Sequence, residues 1–385
     1  MTLDISPATE PAPVGDVRTI RRIGVEEELL LVDARTLVPV PVADDVIRRA
    51  ATLRPRAGTS VEHEVKREQI EIVSPPLSTL DELSAAIVRG RRIADEAARD
   101  AGARAVALAT APLRSETHPV SEPRYDRMSE RFGLTMIEQL TCGFHVHVEI
   151  ASREEGVAIL DRIRPWLPVL LALSANSPFW QGVDTDFASY RYQAWGRWPT
   201  AGPYDRFGSA SGYDETLDQI LAADVSFDLG MIYFDARLSR HAPTVEVRIA
   251  DVCLHPDDAA TLAALTRALA ETAAAAWRAG TPADAVPTRV LRLATWRASR
   301  FGLTQELLHP GTATRCSAAV AVHALLKHVD DGFASEAERS RVWSGVSTIL
   351  HRGTGAAHQR RALSVRDERR DVVADALRRT HATEG

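Results

Sequence analysis

Glu26 and Glu28, Gln69 and Glu71, His145 and His147, and Glu246 and Arg248 form four pairs of polar side chains, each spaced two residues apart. On a β-strand, residues i and i+2 point to the same face. Each pair would therefore project together, and if the four faces belong to one sheet they converge on a pocket of acids with histidine and arginine. The bland alternative has to be set beside each pair. Two glutamates at this spacing are more often the wet face of a strand, and taken alone that reading outweighs the functional one for Glu26 and Glu28. His145 and His147 are sharper, because Phe144, Val146 and Val148 fill the opposite face; a buried, hydrogen-bonded histidine remains an even competitor. Glu246 and Arg248 also fit a structural ion pair on an ordinary strand. Four such faces in one chain are harder to explain as solvated surface.

Hard divalent cations such as Mg2+ take oxygen ligands in near-octahedral geometry, so several carboxylates around one or two ions suit a nucleoside triphosphate site. Glu64, upstream of Gln69, adds a further candidate metal ligand to Glu26, Glu28, Glu71 and Glu246. Zinc would call for more His and Cys, and the helical metal motif with two histidines four residues apart is absent. Arg248 among these acids could stabilise a phosphoryl group in flight as charge spreads over its oxygens. The chain has neither a P-loop nor a dinucleotide fingerprint, so metal and side chains would have to bind the phosphates.

The elements that must position these residues can be read from the pattern. RTIRRIGVEEELLLVD reads as a strand entering a turn at Asp33 to Thr36, and SVEHEVKREQIEIVSPP as a strand pair halted by Pro75 and Pro76. Helical spacing from Leu80 onward, with Ser78 as a candidate cap and Gly102 as the stop, predicts a long amphipathic helix. ARAVALATAP and GFHVHVEIAS read as strands, and residues 153–178 as a kinked helix or two short ones. The aromatic, Gly/Pro-rich stretch 176–209 fits neither element, and a loop of that length is usually functional; it is expected to cover the pocket. MIYFDARLSRHAPTVEVRIADV gives two strands about a turn near His241 to Thr244, followed by an alanine-rich helix from Pro256 to Gly280 and a mainly helical remainder. Strands and helices do not alternate one for one, which points to an α+β fold, an antiparallel sheet flanked by helices, rather than a doubly wound parallel one. The expected organisation is a disordered tail over 1–17, a catalytic domain over 18–280, and a helical segment over 281–385 packed on that domain.

With 385 residues, 45% of them hydrophobic and 25% charged, the composition is that of an ordinary globular chain. A formal net charge of -6 gives no electrostatic support for nucleic-acid binding. Cys142, Cys253 and Cys316 are too scattered for a disulfide framework, and neither a signal sequence nor an apolar run of membrane-spanning length is present. The expectation is a cytoplasmic protein with no membrane partner.

In this order along the chain, GVEEELLLVD, EHEVKREQIEIVSPP, CGFHVHVEI, LALSANSPFWQGVDTDFASYR, GRWPTAGP and TVEVRIADV resemble the glutamate-cysteine ligase type 2 group of bacterial carboxylate-amine ligases, from about Arg18 to the C-terminal helices. The resemblance implies a glutamine synthetase-like catalytic sheet, often in a homodimer. It implies that ATP phosphorylates the γ-carboxylate of glutamate and that an amine, such as that of cysteine, displaces the phosphate. On this resemblance Glu26, Glu28, Glu71, His147 and Glu246 would contact metal or ATP phosphates, with His145 and Gln69 beside them on the nucleotide. Arg248 and Glu246 would be catalytic, and Arg191, with Tyr190 next to it, would hold a substrate carboxylate. WRASRFGL and GTGAAHQR resemble the closing segments of the family, which suggests that Arg297, Gln359 and Arg360 approach the nucleotide, a role in helix packing being the equal alternative. Three positions depart from the pattern: Asp186 for a usual glycine, Glu149 for a small residue and Thr295 for asparagine. The first two are expected to add negative charge beside the pocket, which puts cysteine in doubt as the acceptor. Two rival readings are a guanidino-kinase-like phosphotransferase on the same scaffold and a nucleotide-binding relative without catalysis.

Overall fold

The alternation that sends Glu26 and Glu28 to one face of a strand sends Ile23, Val25, Glu27 and Leu29 to the other. A computed structural model describes residues 20–53, 58–366 and 368–382; the expected disordered tail, residues 1–17, lies outside them. Its main sheet contains β1 (Ile23–Asp33), β2 (Ser60–His63), β3 (Gln69–Val73), β4 (Ala103–Val106) and β5 (Gly143–Glu149). A separate hairpin of two short strands follows, β6 (Phe179–Trp180) and β7 (Val183–Asp184), and the main sheet is completed by β8 (Ala236–Leu238) and β9 (Thr244–Asp251). The order is β2-β3-β1-β5-β9-β8, with β4 also paired to β1, and every pairing is antiparallel. β1 is the hub. It meets β3 on one side, and on the other β5 and then β4 along its length.

Apolar side chains of one face, among them Ile23, Val25, Phe144, Val146, Val148, Val245 and Val247, form a continuous core with Leu83 and Ile87 of the helix Leu80–Asp100 and Leu262 and Leu265 of the helix Pro256–Arg278. Burying side chains of this size stabilises by about 1.5–3 kcal/mol each. Glu27 on that face is buried and held in a two-pronged ion pair by Arg91 of the Leu80–Asp100 helix, at 2.6 and 3.1 Å. Both faces are thus set by one strand, the odd positions meeting helices and the even ones left for chemistry.

The β5–β9 ladder carries a bulge. His147 pairs with Glu246, but beyond the irregularity Phe144 pairs with Ala250 and Gly143 with Asp251. The extra residue reverses the parity of β9, so Asp251 shares a face with His145 and Glu246 instead of entering the core.

The α+β class, the strand pairs and the long helices follow the sequence pattern. Differences lie at ends and in unpatterned stretches. The long helix is capped by Thr79, not Ser78: Thr79 and Glu82 exchange a reciprocal pair of bonds in a capping box. Residues 153–174 form two helices, Arg153–Ile163 and Leu167–Ser174, divided at Pro165, which has no N–H to continue the ladder. The 176–209 stretch holds the β6–β7 hairpin and a short helix, Tyr190–Trp195. Helices at Ala43–Thr52, Pro123–Phe132 and Ala210–Ala222 occupy segments for which the pattern predicts nothing. In the C-terminal part, Val342, Val346 and Ile349 join the first core, and Val373 and Ala376 join a second one with Leu29 and Leu31.

Candidate active site

A cavity of about 490 Å³ opens over the polar face of the sheet. Its floor is made by Glu26, Glu71, His145, His147, Glu246 and Arg248, with Glu64 just beyond the end of β2. Register explains the convergence. Glu28 faces Glu71, Glu26 faces His145, and His147 faces Glu246 across neighbouring strands. Oxygen or nitrogen atoms of Glu28, Glu64 and Glu71, of Glu26, Glu71 and His145, and of Glu26, His147 and Glu246 form three groups in which all atoms lie within 4.8 Å of one another.

The charges are unevenly compensated. Burial alone would raise Glu26, but bonds and charges from His145 and His147 outweigh it and hold the carboxyl far below its usual range. His145 Nδ1 lies 2.9 Å from Glu26 Oε2 and His147 Nε2 lies 3.0 Å from Glu26 Oε1. Burial, reinforced by the Arg248 charge, lowers His145 to about 4 against the raising effect of Glu26 and Glu246. His147 resists the lowering effect of burial because Glu26 and Glu246 face it, and ends raised; its Nδ1 meets Thr244 Oγ1 at 2.9 Å. Glu246 is held low by Arg248 and Arg237 against the effect of burial. Arg237 forks onto it at 2.7 and 3.3 Å, and Arg248 donates to its Oε1.

The other acids have too few cations. Burial raises Glu28 despite Arg191 and the Gly143 N–H, which donates to its Oε2 at 2.6 Å. Burial and then the Glu28 charge push Glu64 up to about 7, and Glu71 is raised well above its ordinary value by burial and the charges of Glu26, Glu64 and Glu28. Among the described residues nothing donates a hydrogen bond to Glu71. Three neighbouring carboxylates left short of positive charge form an all-oxygen donor set, which fits a hard divalent cation.

The remaining predicted residues fall elsewhere. Gln69 is buried in register with Leu30, two pairs along from Glu71, and does not line the cavity. Arg191 is buried behind the floor: its guanidinium fills the space that a Cβ on Gly143 would occupy, 2.2 Å from Nη2, and it lies 3.9 Å from Asp251. Asp251 accepts from Asn176 N, Ser177 Oγ and Ser189 Oγ, so it staples both ends of the loop carrying Arg191. Tyr190 packs with Trp180 and Phe187. Arg297 donates to the carbonyl of Glu306, Gln359 to Asn176, and Arg360 forks onto Asp184. None of these lines the cavity, and their present bonds are those of the packing alternative. Of the long aromatic stretch only Trp195 lines the cavity, so it forms part of one wall and does not cover the pocket. The charge argument against cysteine also lapses. Glu149 on the rim is paired with Arg22 at 2.6 Å, while Asp186 is exposed, adopts φ 62° and lies outside the cavity. Thr295 is buried and bonds to carbonyls of its own helix.

Several lining residues were missed, notably Arg237, Arg124, Tyr125, Tyr233 and Arg240. Arg237 stands opposite Glu246 because the hairpin closes on Leu238 and Val245; a turn centred on 241–244 would set it against Arg248 instead. The others carry no periodic signal.

The fold is shared with enzymes that join carboxylates to amines. A glutamate–cysteine ligase from Francisella tularensis, solved in complex with AMP, is similar over 96% of this chain and 91% of that chain with a TM-score of 0.66 at 14% identity. A bifunctional glutathione synthetase from Pasteurella multocida matches over 94% of this chain and 52% of that chain with a TM-score of 0.65, also at 14% identity. At the sequence level, a protein of Paenarthrobacter aurescens provisionally named glutamate–cysteine ligase 2-1 is 53% identical, covering 94% of this chain and 95% of its own. One of the same provisional name from Streptomyces avermitilis is 48% identical, with 94% and 99% covered. Glutamate-cysteine ligase family 2 (GCS2) matches residues 22–379, and the chain belongs to that family. It is an ATP-dependent carboxylate-amine ligase.

Among the described residues no helix is long and apolar enough to cross a membrane.

Proposed function

We propose that the chain forms a γ-glutamyl amide: ATP phosphorylates the γ-carboxylate of glutamate, and an amino group, with cysteine the first candidate, attacks the acyl-phosphate and releases phosphate. The observation that carries this reading is the undercompensated carboxylate cluster of Glu28, Glu64 and Glu71, of which Glu64 and Glu71 line one cavity with Arg248. Mg2+ held by Glu28, Glu64 and Glu71 would supply the positive charge that a triphosphate needs in such an acidic setting. Arg248, fixed by Glu246, is aimed at the same space, where its guanidinium would stabilise the equatorial oxygens of the transferring phosphoryl group. Glu26 is kept anionic by His145 and His147 and orients both rings. The cavity walls of Tyr125, Trp195 and Tyr233 would shield a hydrolysable acyl-phosphate from water.

The test is incubation with ATP, Mg2+, glutamate and pooled amino acids, read by mass spectrometry. New γ-glutamyl masses with equal amounts of ADP and phosphate are expected. A stable phosphorylated product without an amide would instead support the phosphotransferase reading, and amine-independent ATP hydrolysis would argue against a protected intermediate.

A further inference from the structure

The helix Gly355–Arg366 lies outside the cavity, yet its first turns close on one residue of the loop that leads into the site. Gln359 is buried and spends both hydrogens of its Nε2 on Asn176, donating to its carbonyl at 2.8 Å and to its Oδ1 at 2.7 Å. Ala356 N donates to the carbonyl of Ala175 at 2.9 Å, and a Cβ on Gly355 would collide with Asn176 Oδ1, so the helix backbone sits directly on that side chain. Asn176 is fully buried. Its Nδ2 holds the carbonyls of Ala107 at 2.9 Å and Val252 at 2.8 Å, and its N–H donates to Asp251 at 2.8 Å. Gln359 Oε1, by contrast, is buried and accepts no hydrogen bond among the described residues. An unpaired buried acceptor is destabilising, and an apolar side chain of the same size would avoid it. Packing alone therefore does not account for an amide at this position.

What the amide holds leads to the floor of the cavity. Asp251 accepts from Asn176 N and from the hydroxyls of Ser177 at 2.7 Å and Ser189 at 2.8 Å, which ties down the loop at both ends. Two residues beyond Ser189, Arg191 donates to the backbone carbonyls of Arg248 and Ile249, both at 3.4 Å, where β9 bulges. The same guanidinium lies against Gly143, whose N–H holds Glu28. We infer that Gln359 is a positioning residue: through Asn176 and Asp251 it sets Arg191 beneath the floor, and with it the backbone that aims Arg248 and the N–H that holds Glu28. The C-terminal helical segment is thereby part of the catalytic unit, although no residue of this helix lines the cavity.

The experiment compares Gln359→Met, which fills the same space without the amide, with Arg361→Ala. Arg361 is exposed on the same helix and bonds to the Arg352 carbonyl and His358 Nδ1, away from Asn176. Thermal unfolding is measured beside steady-state kinetics with ATP, Mg2+, glutamate and cysteine, an assay that rests on the ligase reading above. Gln359→Met is expected to lose roughly 10- to 100-fold in kcat, the scale on which a displacement of about 1 Å acts, with a KM for ATP within about 2-fold of wild type. Arg361→Ala should keep its kcat whatever it loses in melting temperature. A kcat in Gln359→Met within about 2-fold of wild type, or equal losses of kcat in the two variants, overturns the proposal. So does a Gln359→Met chain that fails to fold, since the role is then one of stability. If wild type forms no amide, the substrate assignment fails by itself and calorimetry with Mg2+ alone decides the network. Binding several-fold weaker in Gln359→Met than in Arg361→Ala supports it, because Glu28 has lost its support, and equal affinities overturn it.

Discussion

Arg237 grips both carboxylate oxygens of Glu246, its partner in register across the β8–β9 ladder, at 2.7 and 3.3 Å. Glu246 in turn anchors Arg248, so the position of the arginine facing the cavity depends on a residue that never has to touch a substrate. Arg237→Gln should lower kcat by roughly 10- to 100-fold, with a loss of stability of about 1.5–3 kcal/mol for the charge-assisted bonds. Arg237→Lys keeps the charge without the fork and should recover only part of kcat. Steady-state kinetics and thermal unfolding measure the two effects, and an unchanged kcat in Arg237→Gln would remove the positioning role.

Arg248→Ala should abolish turnover while the chain still folds, since Glu246 keeps its fork from Arg237. Circular dichroism and the amide-forming assay separate the two properties. Near-normal ligation by this variant would sink the assigned role.

Neighbouring glutamates should behave in opposite ways. Glu27→Gln leaves the buried Arg91 without its charge partner and should destabilise by about 3–5 kcal/mol, as breaking a buried pair does. Glu26→Gln should unfold close to wild type and lose most activity, because Glu26 fixes His145 and His147 at the cavity floor. Denaturant melts and activity measured on both variants make the comparison.

The raised acids give a pH dependence with a definite sign. Glu64 titrates at about 7 in the folded chain against an ordinary 4.5, so between these values the folded state holds a proton that the unfolded state has lost. Stability of the metal-free protein should therefore fall as pH rises from about 4.5 to 7, by an amount on the order of 1–3 kcal/mol. Mg2+ should reverse the loss, stabilise more at pH 7.5 than at pH 5, and release protons on binding near neutrality. Thermal melts across pH, with and without Mg2+, and calorimetry in buffers of different ionisation enthalpy would show it. A melting temperature independent of both pH and Mg2+ would contradict the metal assignment.

Arg360→Ala should leave the KM for ATP unchanged and reduce stability by about 1 kcal/mol, because Arg360 binds Asp184 and the Phe187 carbonyl away from the cavity. A several-fold rise in that KM would restore the nucleotide role suggested by the GTGAAHQR segment.

How much of this could be read beforehand depended on whether a residue sat in a regular strand. Glu26, Glu28, Glu71, His145, His147, Glu246 and Arg248 obey the period of two, and their shared face was legible before any pairing was known. Asp251 was not, because counting in twos from Glu246 lands on Ala250, and only the bulge on β9 turns Asp251 toward Arg191. Arg124 and Gly230 come from segments without a periodic pattern, so nothing local announces that both line the cavity. Arg297 and Arg360 were proposed through motif resemblance, which carries no information on side-chain direction.

The sequence Glu26-Glu27-Glu28 also limits how this enzyme can diverge. β1 is hydrogen-bonded to three neighbours, so it has no freedom to slide. A one-residue insertion within it would aim Glu27 at the catalytic space and drive the two flanking acids into oil. The rim around Arg22, Arg240 and His241 is built from the segment just before β1 and the turn between β8 and β9, where insertions are absorbed. New acceptor preferences are therefore expected to arise at the periphery, while the reaction step stays locked to the reading frame of the central strand.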